Sequence, residues 1–189
     1  RHNLFLNGVM FRCLFLIIWM GTVMADETVQ YHFAVENSSQ HLGRVSIELP
    51  VMAEQRIEIK LPVWRSGRYE VLDLSKNITE FSARNKSGEA LNWQKSDKNT
   101  WVIDNPDRQQ LTVSYLVYAN MLRYRVAHID DSHAFLDASG VFMFVPALRQ
   151  APLMVTMDVP DHWQSRSGMT SPSEHVFVAD NYDQLVDSP

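Results

Sequence analysis

The sequence predicts a single all-β domain, an antiparallel β-sandwich in outline. Three observations carry that expectation. Apolar and polar residues alternate with period two in segment after segment. Turn-forming clusters recur between these segments at the spacing of a sandwich or barrel. Beyond residue 25, no window holds apolar residues at i, i+3, i+4 and i+7 over a helix length.

The chain of 189 residues opens on a segment that does not belong to that pattern. Leu14 to Met24 reads LFLIIWMGTVM, an uncharged apolar run too short for the roughly 20 residues of a membrane-spanning helix. Arg12 precedes it and Val23-Met24-Ala25 closes it with small residues at the last and third-from-last positions. This is the form of a cleavable secretory signal peptide. Residue 1 is Arg, so Met10 is the expected start, and residues 1–25 are expected to be an upstream stub and a leader. Arg1, Arg12 and the single cysteine, Cys13, leave with it, and the net charge of −5 becomes −7 for residues 26–189. A cysteine-free remainder suits an oxidising exterior and excludes disulfides and thiol catalysis. The expected location is secreted or periplasmic, with no stable membrane span.

Thr28 to Glu36 places Val29, Tyr31, Phe33 and Val35 on one side of a strand. Arg44–Leu49 and Arg56–Leu61 alternate likewise, and each is closed by a proline, Pro50 and Pro62, which cannot donate to a continuing ladder. Further strands are expected at Ile78–Arg84, Ala90–Gln94, Thr100–Asp104, Gln110–Ala119, Arg123–Ile129, Val141–Val145, Leu153–Val159 and His175–Ala179. Asn85-Lys-Ser-Gly88, Asp104-Asn-Pro-Asp107, Ala138-Ser-Gly140 and Ser167 to Pro172 are turn formers. With no linker, repeat or low-complexity tract, residues 26–189 form one domain. The last nine residues, Asn181 to Pro189, do not resemble a natural terminus, and more protein is expected to follow.

Composition excludes disorder and collagen. The acidic balance and the absence of a clustered basic face argue against nucleic acid as a partner. None of the seven histidines lies in H-E-x-x-H, the helical pair that holds zinc beside a general base. His128-Ile-Asp-Asp-Ser-His133, with Asp137 following, is the densest group of metal-ligand types, and a polar β-turn is the favoured reading of it. There is no G-x-S-x-G elbow, and the seven glycines are scattered singly, which disfavours a phosphate loop. The three N-x-[ST] sequons at Asn37, Asn77 and Asn85 carry no function. Among the aromatics, Trp93, Trp101 and Trp163 are expected to pack in or beside strands. The candidate site is Trp64-Arg-Ser-Gly-Arg-Tyr69: Trp64, Arg65, Arg68 and Tyr69 on one loop can stack on a ring, grip a carboxylate or contact a neighbouring domain.

That loop, Leu61-Pro-Val-Trp-Arg-Ser-Gly-Arg-Tyr69, followed by Asp73 to Phe81, resembles the amino-terminal domain of the glycyl aminopeptidase family. Lys95 to Trp101, Val113 to Tyr118, His133-Ala-Phe135, Gly140-Val-Phe142, Val159 to Trp163 and Tyr182 to Pro189 follow in family order. Ser66 stands where the family usually carries the Pro of W-x-P-G, and Arg68 where it usually carries a small residue. The resemblance implies a secreted or periplasmic zinc metallopeptidase in which a β-rich domain precedes a catalytic domain with H-E-x-x-H and then a PDZ domain. It gives the chain no catalytic or metal residue and no cofactor of its own, with zinc expected in the intact protein and peptide as substrate. The expected function is a non-catalytic β domain that packs on the catalytic domain and helps shape the peptide cleft. A stand-alone secreted module binding glycan or peptide is the competing expectation.

Overall fold

The computed structural model describes residues 28–63, 73–121 and 127–188. The expected leader, residues 1–25, and the Trp64–Tyr69 loop lie outside them. The described residues form twelve strands in order: β1 (Val29–Asn37), β2 (Leu42–Leu49), β3 (Arg56–Lys60), β4 (Ile78–Asn85), β5 (Trp93–Asp97), β6 (Thr100–Asp104), β7 (Leu111–Tyr118), β8 (Ala127–Ile129), β9 (Ala134–Leu136), β10 (Leu153–Asp158), β11 (Thr170–Ser173) and β12 (Val176–Ala179). Two short helices, α1 (Ala138–Val141) and α2 (Tyr182–Asp187), accompany them.

Seven strands make one sheet in the order β11-β12-β10-β1-β2-β7-β4. Period-two alternation sets its register. Tyr31 faces Ile47 and Phe33 faces Val45 across β1–β2, and Val45, Ile47 and Leu49 meet Tyr115, Val113 and Leu111 across β2–β7. On the other flank Val29 and Tyr31 align with Leu153 and Val155, which align with Ala179 and Phe177. Every one of these side chains is buried. A slip of one residue would turn the whole row out to solvent, so burial fixes the pairing. One pair departs from the expected antiparallel pattern: β1 and β10 run parallel, which makes the large sheet mixed.

A second sheet, β3-β6-β5, sets Ile57 against Ile103 and Ile59 against Trp101, and these join the same core cluster. The layers are bolted together by aromatic stacking. Phe81 of β4 lies parallel to Trp101, centroids 5.4 Å apart, and to Tyr115, 6.4 Å apart. A bulge between Thr79 and Ser82 makes this possible, with Glu80 at φ 52 interrupting the ladder. Glu80 thereby also reaches Arg44, which forks across Glu80 and Glu36 at 3.2 and 3.0 Å. The β8–β9 hairpin stands apart as a two-stranded unit.

Val141–Val145 is not the strand that its apolar run predicts. Val141 closes α1, Phe144 makes one isolated bridge to Lys60, and a 3-10 turn begins at Pro146. The reason lies in where the backbone polar groups go. Tyr115 Oη donates to Val141 O at 2.8 Å, Tyr182 Oη to Phe142 O at 2.6 Å and Tyr31 Oη to Met143 O at 2.9 Å. Met143 N–H in turn donates to Tyr115 Oη at 3.0 Å. A buried main chain must be paired, and tyrosine hydroxyls here do what a neighbouring strand would otherwise do. Strands β9 and β11 and helix α2 are further elements that the alternation does not announce.

Candidate functional site

The sequence-derived site, Trp64, Arg65, Arg68 and Tyr69, lies outside the described residues, but the root from which its loop springs is well defined. β3 ends at Lys60, whose N–H and C=O both pair with Phe144 at 2.8 Å. Leu61 is fully buried and held from both sides, its N–H donating to Asn99 O at 2.9 Å and its C=O accepting from Asn99 Nδ2 at 2.8 Å. Beside this root opens a cavity of about 480 Å³, lined among others by Lys60, Pro62, Phe144, Arg149, Tyr182 and Asp183.

Helix α2 builds the far wall. Asn181 caps it by accepting from Gln184 N–H at 2.9 Å, and Gln184 Oε1 reaches back to Asp180 N–H at 2.7 Å. This reciprocal arrangement satisfies orphan donors at both ends of the first turn. Tyr182 then stacks on Phe144, centroids 4.6 Å apart, and Arg149 lies over the same Phe144 ring at 5.7 Å. Arg149 forks onto Asp183 at 2.6 and 3.0 Å, and its guanidinium holds the Asp183 carboxyl below the usual carboxylate range. The cavity therefore has an aromatic floor and a charged rim that is already paired. Such a lining suits contact with a peptide or a packed neighbouring domain.

A second cluster forms on the β8–β9 hairpin. Strand alternation points Ala127 and Ile129 into the core and His128 the other way. The turn from Asp130 to His133 brings both ends back together, and Asp130 N–H donates to His133 O at 3.0 Å. Asp130 Oδ1 accepts from Ser132 N–H and Oγ, each at 2.7 Å, and from His133 N–H at 2.9 Å, while Oδ2 meets His128 Nε2 at 3.1 Å. The Ser132 hydroxyl first, and His128 after it, hold the Asp130 carboxyl far below its ordinary range. Asp137 takes no part in this group. It is buried and caps α1, accepting from Ser139 N–H at 3.1 Å and from the Ser139 hydroxyl.

Of the other aromatics, Trp101 is core, with Lys95 Nζ 4.3 Å above its ring. Trp93 packs edge-on against Phe81 at 4.8 Å and stays partly exposed. Trp163 lines a smaller apolar cavity of about 160 Å³ with Phe135, Met169 and Phe177. Glu174 and His175 approach to 3.6 Å at the entrance to β12. The family's catalytic zinc does not fit this chain, because no His-Glu pair on a helix is present in the sequence. Among the described residues no helix is long and apolar enough to cross a membrane.

The described residues thus form a mostly β domain, two main sheets over one core with an aromatic-floored cavity beside the end of β3. The chain belongs to the Peptidase M61 N-terminal domain family, which matches residues 30–189. It is similar to the crystal structure of an aminopeptidase N family protein from Idiomarina loihiensis, 28% identical, with a TM-score of 0.78 over 85% of this chain. The chain spans only 28% of the length of that protein. An M1 zinc metallopeptidase from Deinococcus radiodurans is also similar, at 13% identity and a TM-score of 0.45, over 82% of this chain and 38% of the other. No curated protein matches the chain.

Proposed function

We propose that this chain is the non-catalytic amino-terminal domain of a zinc aminopeptidase of the glycyl type, exported by a cleavable leader to the periplasm or exterior. Residues 26–189 form its one folded domain, which packs on a catalytic domain and helps wall the cleft that receives a peptide amino terminus. The observation that carries this reading is the family match across the whole β domain, joined to its likeness to just over a quarter of a longer aminopeptidase-family protein. The Trp64–Tyr69 loop and the cavity at its root supply the contact face. The half-buried ring of Phe144 offers aromatic area to a partner, backed by the buried Tyr182, while Arg149 and Asp183 set orientation at the rim. The charge of −7 on residues 26–189 favours approach of a protonated amine. A catalytic zinc, and the PDZ domain that the resemblance implies, would be held by other parts of a longer protein to which this chain would contribute the β-rich domain.

The chain assayed alone on a glycyl substrate, with and without zinc, is expected to be inert. Hydrolysis by it overturns the reading. The coding sequence downstream of Pro189 is expected to encode an H-E-x-x-H helix within a domain length, and a stop codon there favours the stand-alone binding module instead.

A further inference from the structure

The β8–β9 hairpin carries chemistry that the proposed packing role does not use. Its two histidines come from opposite ends of the turn, and the carboxylate between them touches both rings: His128 Nε2 lies 3.1 Å from Asp130 Oδ2, and His133 Nδ1 lies 3.3 Å from Asp130 Oδ1. One ligand atom from each of the three residues falls within 4.8 Å of the other two. Tetrahedral zinc with bonds of about 2.0–2.2 Å needs ligand atoms roughly 3.3–3.6 Å apart. The His133–Asp130 contact has that spacing, and the His128–Asp130 contact, made to the other carboxylate oxygen, is 0.2 Å short of it.

Rigidity and freedom are distributed as a metal site requires. His128 is only 13% exposed and its Nδ1 is buried, so Nε2 is the nitrogen it presents to the cluster. Asp130 is pinned through Oδ1 by Ser132 and the His133 N–H, which leaves Oδ2 turned towards His128. His133 is 50% exposed, and its Nδ1 meets Ser132 Oγ at 2.9 Å as well as Asp130, contacts that a bound ion would replace. His41 flanks the group, its ring 5.8 Å from that of His128, with Nδ1 engaged by Ile129 O at 2.5 Å. Two imidazoles and one carboxylate are a zinc-class donor set, whereas calcium and magnesium prefer all-oxygen shells. Three protein ligands on an open hairpin leave the fourth position to water.

We propose that His128, Asp130 and His133 form a surface site for a divalent zinc-class cation, which clamps the β8–β9 turn. Binding exchanges the His128–Asp130 and His133–Asp130 contacts for bonds to the ion and cross-links both ends of the hairpin. The site needs nothing from the peptidase reading and stands or falls separately from it.

The test compares zinc retained after dialysis by the wild-type protein, His133→Ala and Asp130→Asn. Cobalt(II) substitution gives a second readout, because its visible bands report nitrogen and oxygen donors in tetrahedral array. Zinc held elsewhere is common to all three proteins, so the difference reads this site alone. The wild type is expected to retain one more equivalent than either variant and to show cobalt bands that both lack. Each substitution should weaken binding by more than the ~10–100-fold that loss of an outer-shell partner costs. His133 is half-exposed and asparagine can keep the Asp130 turn, so both variants are expected to retain the wild-type circular dichroism. Equal zinc in all three folded proteins, or cobalt bands that survive His133→Ala, overturns the proposal.

Discussion

A methyl group at position 43 would sit 2.6 Å from two ring carbons of Phe33 and 3.0 Å from Ile129 Cδ1. Both neighbours are fully buried, so neither can step aside into solvent. Gly43→Ala is therefore expected to destabilise the domain by about 1–3 kcal/mol, the usual cost of overpacking. A lowered urea midpoint with unchanged slope would verify it, and an unchanged midpoint would show that the ring can yield. This residue also shows how local pattern hides structure. Alternation announces β2 only from Arg44, because a glycine contributes no apolar mark, yet Gly43 lies against both Phe33 of β1 and Ile129 of β8. His128 and His133 were legible as metal-ligand types. Their convergence was not, since it depends on Asp130 folding the turn with three hydrogen bonds to its own Oδ1.

At the level of elements, alternation located ten of the twelve strands among the described residues to within a few residues, because all but the exposed β5 bury side chains against the core. It failed where that logic does not apply. β11, Thr-Ser-Pro-Ser, is exposed throughout and has no apolar face to read. β9 is three residues long. Val141–Val145 is apolar because it is buried on all sides, and its carbonyls are claimed by tyrosines remote in sequence. Helix α2 did carry a signal in Asn181-Tyr-Asp-Gln184, a capping pair three residues apart. The tyrosine arrangement makes a firm prediction. Tyr115→Phe removes the donor to Val141 O and the acceptor for Met143 N–H, leaving two buried main-chain groups unpaired. The expected loss is about 1–3 kcal/mol, read as a lower thermal midpoint. Full stability in the variant would mean that water or a rearranged main chain takes over both bonds.

Across the whole molecule, the acidic groups that hold surface structure share one sign. Glu36 beside Arg44, Asp183 beside Arg149, Asp97 under the Asn99 N–H and Asp130 within its turn are all held below the usual carboxylate range. In the unfolded chain these groups take up protons near pH 4, whereas in the folded chain they do so only at lower pH. The stability they contribute is present above the unfolded value and is lost as pH falls through the folded ones. Urea midpoints are expected to drop between pH 5 and pH 2, and a flat profile over that interval would contradict the assignment. Fold class and family were readable at this scale because they rest on many weak marks in fixed order. The two-sheet sandwich was part of that reading, but the way the sheets lock was not, since it depends on the Glu80 bulge that sets Phe81 against Trp101.

The parallel β1–β10 pair has a consequence in time. Val29 waits for Leu153 before its second edge is closed, with the eight strands β2 to β9 already emerged. Loop closure over such a span is slow relative to hairpin formation. During vectorial synthesis β1 and β2 can zip early, but the sheet's central seam seals only as the last fifth of the chain appears. Any truncation before β10 leaves that seam open, an unprotected template for intermolecular pairing.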